Sequence, residues 1–340
     1  MTVGFVTNPN HAQHAVPEHP EGPERLEAVL QLLTESGLLD RLSRIEPRDA
    51  ADGELASVHR GDYVDALRRA CREGGGWADP DTYIASGSCD AAWLAAGACL
   101  AATDAVLSNE VRSAFCAVRP PGHHARPAQA MGFCLLNNVA VAARYARRHG
   151  IERVAIVDID VHHGNGTQDA FYDDPSVLYV STHQYPFYPG TGRASETGSG
   201  EAAGTNVNIP LPAGCGDGQY RAAFEQIVEP VVRRFRPQLL LVSCGFDAHY
   251  AETIAGMSLS VDGYGALAAR LQSLADELCD GRSVFVLEGG YDLDAIAWCA
   301  RRVIEVLLGD EPTPDPLGPA PYASLNIDAL LAELRGIQGL

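Results

Sequence analysis

Each short apolar run in this 340-residue sequence leads directly into polar, reactive side chains. Residues 114–118 lead into RPPGHH, ending in His123 and His124, and residues 153–157 into DIDVHHGNG, which holds Asp158, Asp160, His162, His163 and Asn165. Residues 177–180 precede Ser181, Thr182 and His183; residues 239–242 precede SCGFDAH with Asp247; residues 284–287 precede EGGYD with Gly290 and Tyr291. Asp160 and His162 are two residues apart, so on an extended segment they project to the same side. A carboxylate and an imidazole so related are a metal-ligand pair, with Asp247 from another strand end as the third member. Three protein ligands leave positions open for water and substrate, which is how catalytic zinc is held. The same residues would also make a hydrogen-bonded turn, and the convergence of the other strand ends weighs against that. His123 and His124 point apart on an extended chain, so both reach one site only if the backbone bends after Pro120-Pro121-Gly122. Tandem imidazoles beside a metal suit general base and general acid roles, with Asp158 and Asn165 as the available orienting acceptors. Two surface histidines after a Pro-Pro-Gly turn are the plainer alternative. Tyr291 follows Gly289-Gly290, where the backbone can approach a ligand, and offers a phenol donor.

Elements of two kinds must position these groups. The apolar runs read as buried parallel strands. After Pro23, Leu26, Val29, Leu30 and Leu33 fall at i, i+3, i+4 and i+7 and predict an amphipathic helix. Further helices are expected over 88–108, 137–149, 218–235, 262–278 and 292–308, with Gly150 and Gly309 where C-terminal caps belong. This alternation predicts a doubly wound α/β sheet, with ligands outside the carboxyl ends of its strands. The Gly-rich, aromatic segment 183–218 shows little periodicity and reads as a functional loop. Residues 1–310 read as a single catalytic domain. A Pro-rich tail, 311–340, follows; five prolines between Glu311 and Tyr322 end the core, and Leu330, Leu331 and Leu334 suggest a short helix.

Hydrophobic residues make up 46% of the chain and charged ones 20%, enough to bury a large core and too much for a disordered protein or a small disulfide scaffold. With 25 Lys+Arg against 44 Asp+Glu the formal charge is −19, which disfavours nucleic acid and favours cationic or neutral partners. Nine cysteines lie singly from Cys71 to Cys299 without a CxxC pair, the usage of reduced, mostly buried thiols in a cytoplasmic protein. The uncharged run 91–103 is too short for a bilayer, which needs roughly 18 apolar residues, and Met1 to Asn10 lacks the features of a signal peptide, so no membrane association is expected. No P-loop, HExxH or GxSxG is present. Gly198, Gly200 and Gly204 follow no expected strand and open no expected helix, so they are not a dinucleotide loop.

HPEGPERLEAV at His19, RPPGHHARPAQAMGFCLLNN, DIDVHHGNGTQDAFYDDPSVLYVSTH, GFDAH and LEGGYD together resemble the histone deacetylase superfamily, which includes the acetylpolyamine amidohydrolases. The resemblance runs from His19 to near Ala297. HHGNG, with Asn165 where class I enzymes carry aspartate, is similar to the class II and bacterial branch. The resemblance implies an arginase/deacetylase-type three-layer α/β fold with a central, mostly parallel sheet. It implies a zinc-dependent deacylase that hydrolyses the amide of N-acetyl-lysine or a related acylated amine by metal-activated water. Zn²⁺, or alternatively Fe²⁺, would sit on Asp160, His162 and Asp247. His123 would partner Asp158, and His124 would partner Asn165, whose neutral amide should raise a histidine pKa less than a carboxylate would. Tyr291 would hydrogen-bond the substrate carbonyl beside Gly290, and Gly132 and Phe133, with Tyr188 opposite, would wall the acyl-lysine channel. Structural K⁺ is expected near Asp158, Asp160, His162, Ser181 and Thr182, and a second near Phe171, Asp174 and Val177.

Three functions stay open at this point: a deacylase of acyl-lysine in peptides or proteins, a small-molecule amidohydrolase of acetylpolyamines, and a catalytically weak acyl-lysine-binding protein. A di-metal ureohydrolase on the same fold would need a second set of metal carboxylates, which is not evident. In the family, an acidic gatekeeper for polyamines stands seven residues after the last metal aspartate; Ile254 occupies that position here, as in ordinary deacylases. Glu252 and Asp81 are expected in the loops of the rim, Asp81 as an anchor for the substrate backbone or else as part of a solvated acidic turn. A homo-oligomer is left open.

Overall fold

Strands that are apolar at odd and even positions alike can be covered on both faces, and that property builds three layers here. The computed structural model describes residues 2–320 and 325–340. Its strands are β1 (Val3–Thr7), β2 (Ser43–Arg44), β3 (Gly75–Trp77), β4 (Tyr83–Ala85), β5 (Ser113–Ala117), β6 (Val154–Asp158), β7 (Val177–Gln184), β8 (Asn206–Leu211), β9 (Leu239–Cys244) and β10 (Ser283–Leu287). All but β3 and β4 join one sheet in the spatial order β2-β1-β5-β10-β9-β6-β7-β8, every pairing parallel. The helices are α1 (Glu24–Glu35), α2 (Asp52–Leu55), α3 (Gly61–Arg72), α4 (Ser88–Leu107), α5 (Asn138–Arg148), α6 (Asn165–Phe171), α7 (Asp217–Ala223), α8 (Glu229–Phe235), α9 (Val261–Leu278), α10 (Leu293–Leu308) and α11 (Asp328–Gln338). Phe115, Val157, Val242 and Phe285 face a core shared with α1, α9, α10 and α11. Their neighbours Cys116, Ile156, Leu241 and Val286 face a second core under α3, α4 and α5. The expected three-layer α/β fold is the one this chain adopts, and its parallel strands place all their carboxyl ends along one rim.

Several elements differ from the sequence expectation for identifiable reasons. Segment 183–218 contains β8, whose Val207, Ile209 and Leu211 enter the core while Asn206 and Asn208 are buried in hydrogen bonds to Gln168 Oε1 at 2.9 and 2.8 Å. A strand that is polar on one buried face lacks the apolar run that marks its neighbours. The run 91–103 lies within the 20-residue α4, which is long and apolar enough to cross a membrane by length and composition; 72% of its most apolar window is buried inside the fold. Cys71 and Cys89 are not two single thiols: α3 and α4 bring their Cα atoms to 6.2 Å and they form a disulfide, whereas the free cysteines Cys99, Cys116, Cys134, Cys215, Cys244, Cys279 and Cys299 are all buried. A pair separated by 18 residues shows no local spacing signature. Gly309 caps α10 in the left-handed conformation, φ 77°, as its position predicts. Beyond it Thr313 bonds to Glu305 and Arg301, and α11 buries Leu331 and Leu334 in the same core as α1. Pro321 and Tyr322 of the Pro-rich stretch lie outside the described residues.

Candidate functional site

β6 ends at Asp158 and the chain then bends, so Asp160 and His162 meet through a turn and not along an extended strand. Backbone hydrogen bonds build that turn. The Asp160 N–H donates to Asp158 Oδ1 at 3.2 Å, the His162 N–H to Asp160 Oδ1 at 2.9 Å, and the Val161 N–H to Asp247 Oδ1 at 2.8 Å. Ligand atoms of Asp160, His162 and Asp247 thereby lie within 4.8 Å of one another, all three residues buried. His162 Nδ1 stands 3.1 Å from both Asp160 Oδ1 and Asp247 Oδ2.

The electrostatics of this cluster call for a cation. The sequence contains no lysine, and among the described residues the ion-pair partners of Asp160 and Asp247 are histidines. Burial opposes charge on His162, but hydrogen bonds to Asp160 and Asp247 outweigh it and hold the imidazole up to about 9. Burial and the neighbouring Asp160 charge push the Asp247 carboxyl up. Two buried carboxylates are costly unless a metal or proton neutralises them. An Asp-His-Asp donor set fits a divalent ion with open coordination positions.

The bend needed at the tandem histidines is present. Buried Glu288 accepts from the Gly122 N–H at 2.6 Å and the His123 N–H at 3.1 Å, and from Ser243 Oγ on its other oxygen. Burial pushes Glu288 up to about 7 against the pull of His123. The two imidazoles then lie with centroids 4.0 Å apart. His123 Nδ1 donates to Asp158 Oδ2 at 3.0 Å and His124 Nδ1 to Asn165 Oδ1 at 2.8 Å. Burial would strip His123 of its proton, but the charges of Asp160 and Asp158 prevail and hold it at about 10. Burial, helped by the charges of His123 and His162, lowers His124 well below the usual range against the Asp160 charge and the bond to neutral Asn165. With its hydrogen on Nδ1 toward Asn165, neutral His124 has its free lone pair on Nε2. His163 and His183 bond elsewhere, to Thr191 and Gln168 and to Ser181 and the Gly192 carbonyl.

Tyr291 follows β10 on a segment pinned by its backbone. Gly289 N–H donates to Asp160 Oδ2 at 2.8 Å, and Arg25 of α1 donates to the carbonyls of Glu288 and Gly290. Gly290 adopts φ 117°, a conformation closed to most side chains. The Tyr291 ring lies under the Arg25 guanidinium, 4.7 Å from centroid, and meets Phe133 edge-on at 5.7 Å. Gly132 packs so closely on His124 that a Cβ there would sit 2.3 Å from its ring. Phe133 takes φ 67° and donates its N–H to Thr82 Oγ1 at 3.0 Å. Tyr188 meets the His124 ring edge-on at 5.2 Å, and Phe187, which the sequence did not single out, stacks on His162 at 5.3 Å.

Around the mouth, the β3–β4 hairpin carries Asp79 and Asp81. Asp79 Oδ1 accepts the N–H groups of Asp81 and Thr82, Asp81 Oδ1 accepts from Thr82 Oγ1, and the Asp81 carbonyl meets His19. Burial and the adjacent Asp79 raise the half-buried Asp81 carboxyl. Ile254 is half-buried on the loop after Asp247. Glu252 does not join the rim: it is 7% exposed and turned inward, because it binds backbone N–H groups of the Tyr291 segment. Ser181 and Thr182 stand at the end of β7 with Ser181 in register with Asp158, and Thr182 Oγ1 donates to the Asp158 carbonyl at 3.4 Å. Backbone bonds link Phe171, Asp174 and Val177, and the Asp174 carboxylate pairs with Arg144 and Ser176. Sequence reasoning missed Glu288, Arg25 and Thr82. An acidic residue closing the apolar run of β10 was the available signal for Glu288.

Residues 19–307 match the family described as histone deacetylase domain. The chain is 42% identical over 313 residues to a probable deacetylase of Archaeoglobus fulgidus, covering 91% of this chain and 87% of the relative. It is 43% identical over 308 residues to a histone deacetylase-like amidohydrolase of Pseudomonas aeruginosa, covering 90% and 80%. The crystal structure of the HDA15 HD domain superposes with a TM-score of 0.91 at 37% identity, covering 99% of this chain and 94% of that one.

Proposed function

Because the chain belongs to the histone deacetylase family, and so is a deacetylase-type amidohydrolase, we propose that it is a zinc-dependent deacylase of N-acetyl-lysine in peptides or proteins. The observation that carries this reading is the buried Asp160-His162-Asp247 cluster beside two histidines in unlike settings, His123 bonded to the carboxylate of Asp158 and His124 to the neutral amide of Asn165. Environments that split a pair of titratable groups assign an acid and a base. A divalent ion on the cluster would supply Lewis-acid polarisation and acidify water. His124, through Nε2, accepts the proton of the attacking water; His123, steadied by Asp158, delivers one to the leaving amine. The Tyr291 phenol donates to the oxyanion. Phe133 and Tyr188 flank the aliphatic stem of the substrate, and Asp158, Asp160, His162, Ser181 and Thr182 would hold a K⁺ that would support the strand end. The test is a kinetic panel of acyl-lysine peptides against acetylated polyamines, run before chelation, after it, and after Zn²⁺ or Fe²⁺ is returned. Peptide turnover should vanish on chelation and return with one of the metals; turnover indifferent to chelation would overturn the reading. Asp79 and Asp81 beside Trp77, 59% exposed, favour a second reading in which the rim receives an acetylpolyamine's distal cation, and the same panel decides it.

Asp81→Ala should weaken binding of peptide substrates by about 1.5–3 kcal/mol, the range for hydrogen bonds to a charged group. A minimal acetyl-lysine analogue without flanking amides should be nearly unaffected. A distal ammonium reader would instead lose most on acetylpolyamines, with a loss that shrinks in salt. Equal kinetics for all these substrates would mark Asp81 as surface.

A further inference from the structure

Glu252 is a buried carboxylate that the proposed chemistry does not use. It lies on the loop that leaves β9 through Asp247, and its own N–H is held by the His249 carbonyl at 3.0 Å. Its Oε1 accepts two consecutive backbone N–H groups, Tyr291 at 2.6 Å and Asp292 at 2.9 Å. Its Oε2 is buried without a partner among the described residues. Arg25 grips the carbonyls of Glu288 and Gly290 from the α1 side, so Glu252 completes the hold on this segment from the other side. Asp292 then caps α10 through the Ala295 N–H at 2.8 Å.

We propose that Glu252 is the positioning residue for Tyr291, fixing the backbone from which the phenol enters the site. The proposal rests on the deacylase reading for what the phenol does there. A carboxylate accepting two N–H groups makes bonds roughly twice as strong as neutral ones, and a misplacement of about 1 Å at a reacting group costs up to about 10²-fold in rate. The unpartnered oxygen is the opposing cost, since a buried unsatisfied polar atom destabilises the fold. Stability therefore opposes a carboxylate at this position, while the geometry of Tyr291 requires an acceptor there.

Burial pushes Glu252 up to about 7, against its bonds from Asp292 and Tyr291. The charged and titratable groups that act on it are Asp247 on its own loop, Arg25 on α1 and the Cys299 thiol of α10, while Asp292 meets it through its backbone N–H. A carboxyl raised in the folded state contributes stability that is full below its unfolded pKa and lost as pH rises through about 7. Glu252→Gln keeps the Oε1 acceptor and never ionises. At about pH 8 it should melt higher than the wild type and yet turn over more slowly, because neutral acceptance holds the segment less firmly.

The experiment compares wild type, Glu252→Gln, Tyr291→Phe and the double variant on one acetyl-lysine peptide, with metal content measured throughout. Glu252→Gln should lower kcat about tenfold with KM and metal content nearly unchanged, and should lose the acid limb near pH 7 expected of the wild type. In the Tyr291→Phe background the same change should cost almost nothing, because residues acting as one unit are not additive. An equal loss in both backgrounds, or a loss confined to KM, overturns the proposal. A crystal structure of Glu252→Ala gives a readout independent of turnover: the 288–292 segment and the phenol should shift, and an unmoved phenol overturns the proposal. A wild type without metal-dependent turnover would overturn the deacylase reading, and the crystal structure would still decide the role of Glu252.

Discussion

Asp247→Asn should leave a folded protein that retains little divalent metal and turns over acyl-lysine more than roughly 10²-fold more slowly. Losing a group that merely supports a metal ligand costs about 10–100-fold in affinity or activity, and losing the ligand itself must cost more. The fold should survive because asparagine keeps a carbonyl oxygen for the Val161 N–H, the bond that ties the Asp247 loop to the turn after β6. The change relieves the repulsion between Asp247 and Asp160 and removes one of the two carboxylate partners of His162. Adding Zn²⁺ should raise the melting temperature of the wild type, because a ligand that binds only the folded state stabilises it by mass action, and should do little for the variant. Elemental analysis, melting curves and turnover read all three effects. Stoichiometric zinc with full turnover in the variant would sink the assignment.

The parts of the site that were legible in the sequence are those whose chemistry is local. Asp158, Asp160, His162 and Asn165 share one short motif, and the strands that carry such motifs are apolar on both faces, so pattern and chemistry point to the same rim. Asp160 and His162 converge through a bend stitched by backbone N–H groups, which alternation along a strand does not describe. What stayed hidden depends on contacts across long stretches of chain. Glu288 bends the backbone at Gly122 and His123, 166 and 165 residues away, and Arg25 reaches Gly290 across 265. Glu252 was expected at the rim because loops usually lie on the surface; it turns inward because the N–H groups of Tyr291 and Asp292 need an acceptor. β8 escaped notice because its second face is buried in amide hydrogen bonds, and no apolar count registers such a face. The Cys71–Cys89 disulfide depends on how α3 and α4 approach each other, which neither helix states alone.

Tyr291→Phe should lower kcat by roughly 10²–10³-fold, the cost of removing one oxyanion donor, with a much smaller change in KM. The split follows from when the bond matters: a donor aimed at charge that develops during the reaction strengthens its bond in the transition state and not in the bound substrate. The substitution is clean because it removes one oxygen. The remaining ring keeps its packing under Arg25 and against Phe133, and the backbone bonds to Glu252 and Arg25 do not involve the hydroxyl. Burial raises the phenol well above its ordinary range, with Arg25 opposing and Asp247 and Asp160 adding to the shift. The wild-type hydroxyl therefore stays protonated as a donor across about pH 6 to 9, and the kcat ratio of wild type to variant should stay large, with no basic limb from Tyr291, over that range. Steady-state kinetics at several pH values on one acetyl-lysine peptide measure it. If kcat holds while KM alone rises, Tyr291 binds substrate without stabilising the transition state. If the ratio collapses toward the alkaline end of the range, the hydroxyl is ionising there, and a protonated Tyr291 donor is the wrong species.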